Sequence, residues 1–121
     1  MKNYNIVVLL GDGVGPEILA EGLKVIQAAL GDRLPSCTFR EFKIGAAQYR
    51  KTCEACPAGT IAACRTSDAI CFGCVGLPEI QKEDGSEVQA GYTHRIDLDL
   101  YANIRPVRLY TAVESPLKNN H

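Results

Sequence analysis

The chain has 121 residues, 46% hydrophobic and 22% charged, with 13 basic and 14 acidic residues and a net charge of -1. That length suits one domain or part of one. The charge balance gives no electrostatic footing for nucleic acid or an anionic membrane. Trp is absent and Phe occurs only 3 times, so a core must rest mainly on Val, Ile, Leu, Ala and Cys.

The longest aliphatic run, residues 6–10, falls far short of the roughly 20 residues that a membrane-spanning helix needs. It is also too short for the apolar stretch of a signal peptide. A cytoplasmic protein is therefore expected. The 6 cysteines then read as reduced thiols or metal ligands rather than as a disulfide framework.

In chain order, residues 6–10 predict a strand buried on both faces, as in a parallel sheet. Gly11 to Gly15 form a tight turn. Pro16 suits the first helical position, and Glu17 suits the positive end of the helix dipole. Leu19, Leu23, Ile26 and Leu30 recur at helical spacing, and Gly31 is a candidate C-cap. A second strand is predicted over residues 38–44, around Phe39 and Phe42, followed by loop over most of 45–58. A short helix at 59–66, a strand at 68–72, and a turn at Gly76-Leu77-Pro78 follow. Residues 79–93 read as loop, 95–100 as a helical turn and 104–110 as a further strand, ahead of a polar tail from Glu114 to His121. Alternating strands and helices give an α/β class with a mostly parallel sheet flanked by helices.

Gly11-Asp12-Gly13-Val14-Gly15 links strand to helix. Glycines here can adopt positive φ and let backbone approach a ligand. The spacing is not that of a dinucleotide fingerprint, and no P-loop lysine is present. Taken alone, it reads more readily as a plain turn.

The cysteines carry a competing signal. Cys53-x-x-Cys56 and Cys71-x-x-Cys74 are pairs separated by 14 residues, close to the spacing of a four-cysteine zinc site. Against it, Cys71 and Cys74 fall in a predicted strand, where residues three apart point to opposite faces and cannot chelate one ion. A small zinc-binding module is the alternative reading of the whole chain.

As a string, residues 7–18 resemble the N-terminal signature of the isopropylmalate/isocitrate dehydrogenases, which are decarboxylating 2-hydroxyacid dehydrogenases. Three further stretches agree in order and spacing. Ser67-Asp68-Ala69-Ile70 and Gly73-Cys74-Val75-Gly76-Leu77-Pro78 are similar to two family motifs, and residues 98–107, D-L-Y-A-N-I-R-P within them, resemble a third. Arg95 stands ten residues before Arg105, as the first of two substrate arginines does in the family. At the family positions matching Cys71 and Cys74 stand small or aliphatic residues, for which cysteine is a good buried substitute.

The resemblance covers nearly the whole chain and implies residues 1–121 as the N-terminal part of an isopropylmalate dehydrogenase-like domain, a partial three-layer fold. It implies an enzyme that oxidises and decarboxylates a 2-hydroxy diacid of the isopropylmalate, isocitrate or tartrate type with NAD or NADP. Magnesium or manganese assists in the family, but the metal aspartates and the catalytic tyrosine and lysine lie beyond the position matching His121. No catalytic or metal residue is therefore assigned here, and an inactive isolated chain is expected.

By the same resemblance, Val14, Gly76, Leu77 and Glu87 face the cofactor, while Arg95 and Arg105 clamp substrate carboxylates. Arginine forks suit carboxylates because they bind them bidentately. Leu77 replaces a family glycine, and Gly91-Tyr92-Thr93-His94 matches neither substrate-selecting pair, so the diacid stays open. The family is homodimeric, and a chain of this length is expected to self-associate or to need a C-terminal partner. His94 reads as an exposed loop histidine, and Asp97 and Asp99 as a solvated helix face.

Overall fold

The computed structural model describes residues 2–111 and Glu114, without the side chains of Tyr92 and Thr93. The predicted polar tail beyond Glu114, His121 included, lies outside the described residues.

The chain opens with strand β1, Tyr4–Leu9, followed by helix α1, Gly15–Leu30. Pro16 and Glu17 occupy the first turn of α1, and Gly31 closes it at φ 50, donating its N–H to the Gln27 carbonyl. A 3-10 turn, Gly31–Ser36, delivers the chain to strand β2, Cys37–Phe42. Helices α2, Ala46–Thr52, and α3, Ala58–Arg65, precede strand β3, Ala69–Phe72. Helix α4 spans Ala90–Asp97.

The three strands form one parallel sheet in the order β2-β1-β3. Tyr4 pairs with Cys37 at one end and Leu9 with Phe42 at the other, while Ile6 to Leu9 pair with Ala69 to Phe72. Central β1 explains its own sequence: Val7, Val8 and Leu9 are 0% exposed although consecutive residues face opposite sides. Each such side chain contributes about 1.5–3 kcal/mol by leaving water. Val7 and Leu9 pack with Ile44, Ala63 and Cys64, with Phe42, Ile70 and Leu98 around them. A second small cluster joins Ala46, Ile80 and Val88.

Three predicted elements differ from what is found. Residues 45–58 are not mostly loop, because α2 forms within them. No local side chain caps its N-terminus, and Cys53 ends it in the left-handed region at φ 59, so the usual sequence signals are missing. The helix before residue 100 begins earlier than expected, at Ala90, and stops where Asp99 turns to φ 53. Within the predicted loop before it, Gln81 bridges Glu87 in an antiparallel pair. Residues 104–110 form no strand. They run as exposed coil, with Ile104 84% and Val107 94% exposed, since a strand exists only where another pairs with it.

Candidate functional site

The carboxyl ends of all three strands converge. Because β2 and β3 flank β1 on opposite sides, the connection order reverses between β1 and β3. In open parallel sheets this reversal leaves a crevice beyond the strand ends, where small ligands bind.

The glycine loop fills the floor of that region, and its glycines are explained by protein rather than ligand. A Cβ on Gly11 would collide with the Cys74 carbonyl oxygen, and one on Gly15 would lie 2.6 Å from the Leu10 oxygen and 2.7 Å from that of Cys74. Gly11 also sits at φ 75. These residues are glycine so that the loop can press against the chain leaving β3. Gly13 alone has room, with Leu77 Cδ2 as its neighbour at 3.7 Å.

Beside this loop lies an open cleft of about 420 Å³, within the range of small-molecule sites. One wall is the turn Val75-Gly76-Leu77-Pro78 that follows β3. A second is the segment carrying Glu87 and Val88, and helix α4 supplies Gly91 and Arg95. The Glu87 wall is held by the Gln81–Glu87 bridge and by a tight turn in which the Lys82 N–H donates to Ser86 O at 2.9 Å. In that turn the Ser86 hydroxyl and N–H both donate to Asp84, holding its carboxyl below the usual range. Val88 is buried and anchors the wall below the cleft.

The structure thus brings Gly76, Leu77, Glu87 and Arg95 to one cleft. Arg95 is exposed, and no ion pair among the described residues engages it. Val14 is 51% exposed at the start of α1, next to the glycine that approaches Leu77. It stands at the rim rather than in the lining. Arg105 is not brought in: it lies in exposed coil, its Nε 3.4 Å from the Asn103 side-chain oxygen.

Two residues were read differently, or passed over, in the sequence. His94 is not an exposed loop histidine. It is 3% exposed on the inner side of α4, with the Phe72 ring 5.4 Å away and the Cys56 sulfur 3.9 Å from Nδ1. Burial lowers its pKa, against a smaller opposing pull from Asp97. Asp97 itself is half-buried at the end of α4, where Arg65 donates to its carbonyl at 2.8 Å, so the solvated-face reading fits only Asp99. The other is Asp12, 3% exposed, whose carboxylate accepts three backbone N–H bonds. The one sequence signal was a charged residue between two glycines that no solvent-exposed loop required.

The zinc reading finds no support. No group of three His, Cys, Asp or Glu side chains among the described residues could hold a metal ion. Cys53 and Cys74 are exposed and Cys64 is buried in the core. Nor do the described residues form such a group for the magnesium or manganese implied by the resemblance, whose ligands it places beyond the position matching His121. No helix among them is long and apolar enough to cross a membrane.

A parallel α/β sheet with a ligand-sized cleft at its switch point is an arrangement that this chain shares with β-decarboxylating dehydrogenases. One such enzyme from Thermococcus kodakarensis, solved in its apo form, superposes with a TM-score of 0.66 over 81% of this chain and 27% of its own, at 26% identity. The family model described as isocitrate/isopropylmalate dehydrogenase matches residues 5–121, and the chain belongs to that family. It is 43% identical over 119 residues to a 3-isopropylmalate dehydrogenase of Zymomonas mobilis, covering 95% of this chain and 33% of that protein. A 3-isopropylmalate dehydrogenase of Sodalis glossinidius is 36% identical over 124 residues, 98% of this chain and 34% of its own length. The chain spans about a third of the length of these curated relatives.

Proposed function

We propose that this chain supplies the nicotinamide-facing and carboxylate-binding wall of an NAD(P)-dependent dehydrogenase acting on a 2-hydroxy diacid, with 3-isopropylmalate the favoured substrate. One observation carries the reading: Arg95 lines the same cleft as the Gly76-Leu77-Pro78 turn. An unpaired guanidinium beside a backbone-lined pocket can hold a carboxylate bidentately while the pocket takes a flat ring. The substrate name on both relatives supports isopropylmalate over the other diacids.

The bound cofactor would accept the hydride. The described residues contribute binding and orientation, with Arg95 fixing one carboxylate and Leu77 and Pro78 bounding the ring. Glu87 lines the same cleft and would repel a misplaced carboxylate, favouring a single substrate orientation. Residues 1–121 act here as the N-terminal part of a larger domain, in which Arg105 would be brought beside Arg95 to complete the carboxylate clamp.

The test is a titration of the isotope-labelled chain with 3-isopropylmalate and with nicotinamide mononucleotide, read by amide chemical shifts. Shifts centred on Gly76, Leu77 and Gly91 are expected. Arg95→Ala should abolish the diacid response while leaving the fold intact, since an exposed side chain is usually worth less than about 0.5 kcal/mol of stability. Shifts located elsewhere, or unchanged in Arg95→Ala, would remove the reading.

A further inference from the structure

Asp12 receives the carboxyl end of every strand in the sheet. It follows β1 directly. After β2, its Oδ2 accepts the Ala46 N–H at 2.6 Å and its Oδ1 the Ala47 N–H at 2.9 Å. After β3, its own N–H donates to the Cys74 carbonyl at 2.7 Å, and Oδ2 accepts the Gly76 N–H at 2.9 Å. Main chain and side chain of one residue therefore grip the turn that forms the cleft wall at two points.

The surroundings are shaped for a carboxylate. Gly45 sits at φ 106, and a Cβ there would collide with the Asp12 carboxylate. Burying a charge is costly unless hydrogen bonds replace its water. Here three backbone N–H groups do so, and among the described residues no cation pairs with it. An isolated apolar side chain could fill the space, but it could not fix three loops at once.

We propose that Asp12 is the positioning residue of the cleft. By holding the Gly76 N–H inward, it sets the Gly76-Leu77-Pro78 wall at a fixed distance from Arg95 without touching ligand. Its consequence for ligand binding rests on the proposed function; its hold on the wall does not.

Alanine is the informative replacement at Asp12, because it removes both acceptor oxygens, whereas an asparagine oxygen could keep the Ala46 and Gly76 N–H groups that share Oδ2. Asp12→Ala and Gly45→Ala, which keeps the carboxylate but crowds it, are compared with Leu19→Ala, a buried truncation in α1 away from the cleft. Amide hydrogen exchange at Gly76 is measured relative to the β1 amides, and nicotinamide mononucleotide is titrated into each folded variant. Gly76 exchange is expected to accelerate at least about tenfold in both Asp12→Ala and Gly45→Ala, as for loss of a charge-assisted bond, and not in Leu19→Ala. Binding should weaken by at least about tenfold in the same two variants.

Unchanged Gly76 exchange, or equal acceleration in Leu19→Ala, would overturn the proposal. So would faster Gly76 exchange with undiminished nucleotide binding. If Asp12→Ala does not fold, Gly45→Ala decides. If the parent chain does not bind the nucleotide, the cofactor reading of the cleft fails, and the exchange measurement still decides whether Asp12 sets the wall.

Discussion

The sulfur of Cys56 lies 3.9 Å from Nδ1 of His94, joining the segment between α2 and α3 to helix α4. The histidine is packed against Phe72, and its Nε2 is buried without a partner among the described residues. Adjacent helical residues point about 100° apart. Seating His94 in the core therefore turns the following Arg95 out toward the cleft.

This seat makes stability depend on pH. Burial depresses the His94 pKa below its unfolded value near 6.5. The unfolded chain then binds the extra proton first, so the contribution is full above pH ~6.5 and is lost as the pH falls toward the folded pKa. Urea midpoints should drop between pH 7.5 and 5.5 with a slope no steeper than about 1.4 kcal/mol per pH unit, the limit for one proton. His94→Gln should flatten that profile. An identical slope in the variant would mean that other groups titrate instead.

The cysteines should separate by burial. Burial pushes the Cys56 thiol up to about 11 and raises those of Cys64 and Cys71 as well. Only thiolates attack alkylating reagents. With iodoacetamide at pH 8, exposed Cys53 and Cys74 should be labelled well before Cys56 and Cys64, as read by peptide mass mapping. Cys53→Ser and Cys74→Ser should each shift stability by less than about 0.5 kcal/mol. Unfolding on either change, together with stoichiometric zinc in the parent chain, would restore the zinc module.

Two glycines should respond in opposite directions to alanine. Gly11→Ala drives a Cβ into the Cys74 carbonyl at φ 75, and should cost at least ~2 kcal/mol. Gly22, inside α1, has open space around it. There alanine should stabilise by about 0.8–1.0 kcal/mol through helix propensity. Thermal melts of both variants check the pair, and a neutral Gly11→Ala would contradict the close packing of the loop.

The sheet edges make a further case. Along β2, exposed Arg40 and Glu41 place charge on the outer strand, a common guard against edge pairing. On β3 the exposed residues are Ala69 and Phe72, and no charge protects them. The isolated chain should self-associate in sedimentation velocity, and Ala69→Lys should reduce it. A monodisperse parent chain would show that the β3 edge is covered.

What the sequence determined by itself is local and periodic. The aliphatic run of β1, the proline-initiated α1 with its Leu19 stripe, and the glycine at its end are each set by neighbours within a few residues. So was the parallel α/β class. Tertiary structure decided the rest. Whether the glycines serve a ligand or the Cys74 carbonyl depends on which loop lies opposite them. Helix α2 was missed because two of its N-terminal N–H groups are met by Asp12, 34 residues earlier for Ala46. His94 was placed outside because its burial depends on Cys56 and Phe72. Residues 104–110 had strand character, but no strand pairs with them among the described residues. Periodicity records which face a segment buries, and hydrogen-bond partners distant in sequence leave no period to read.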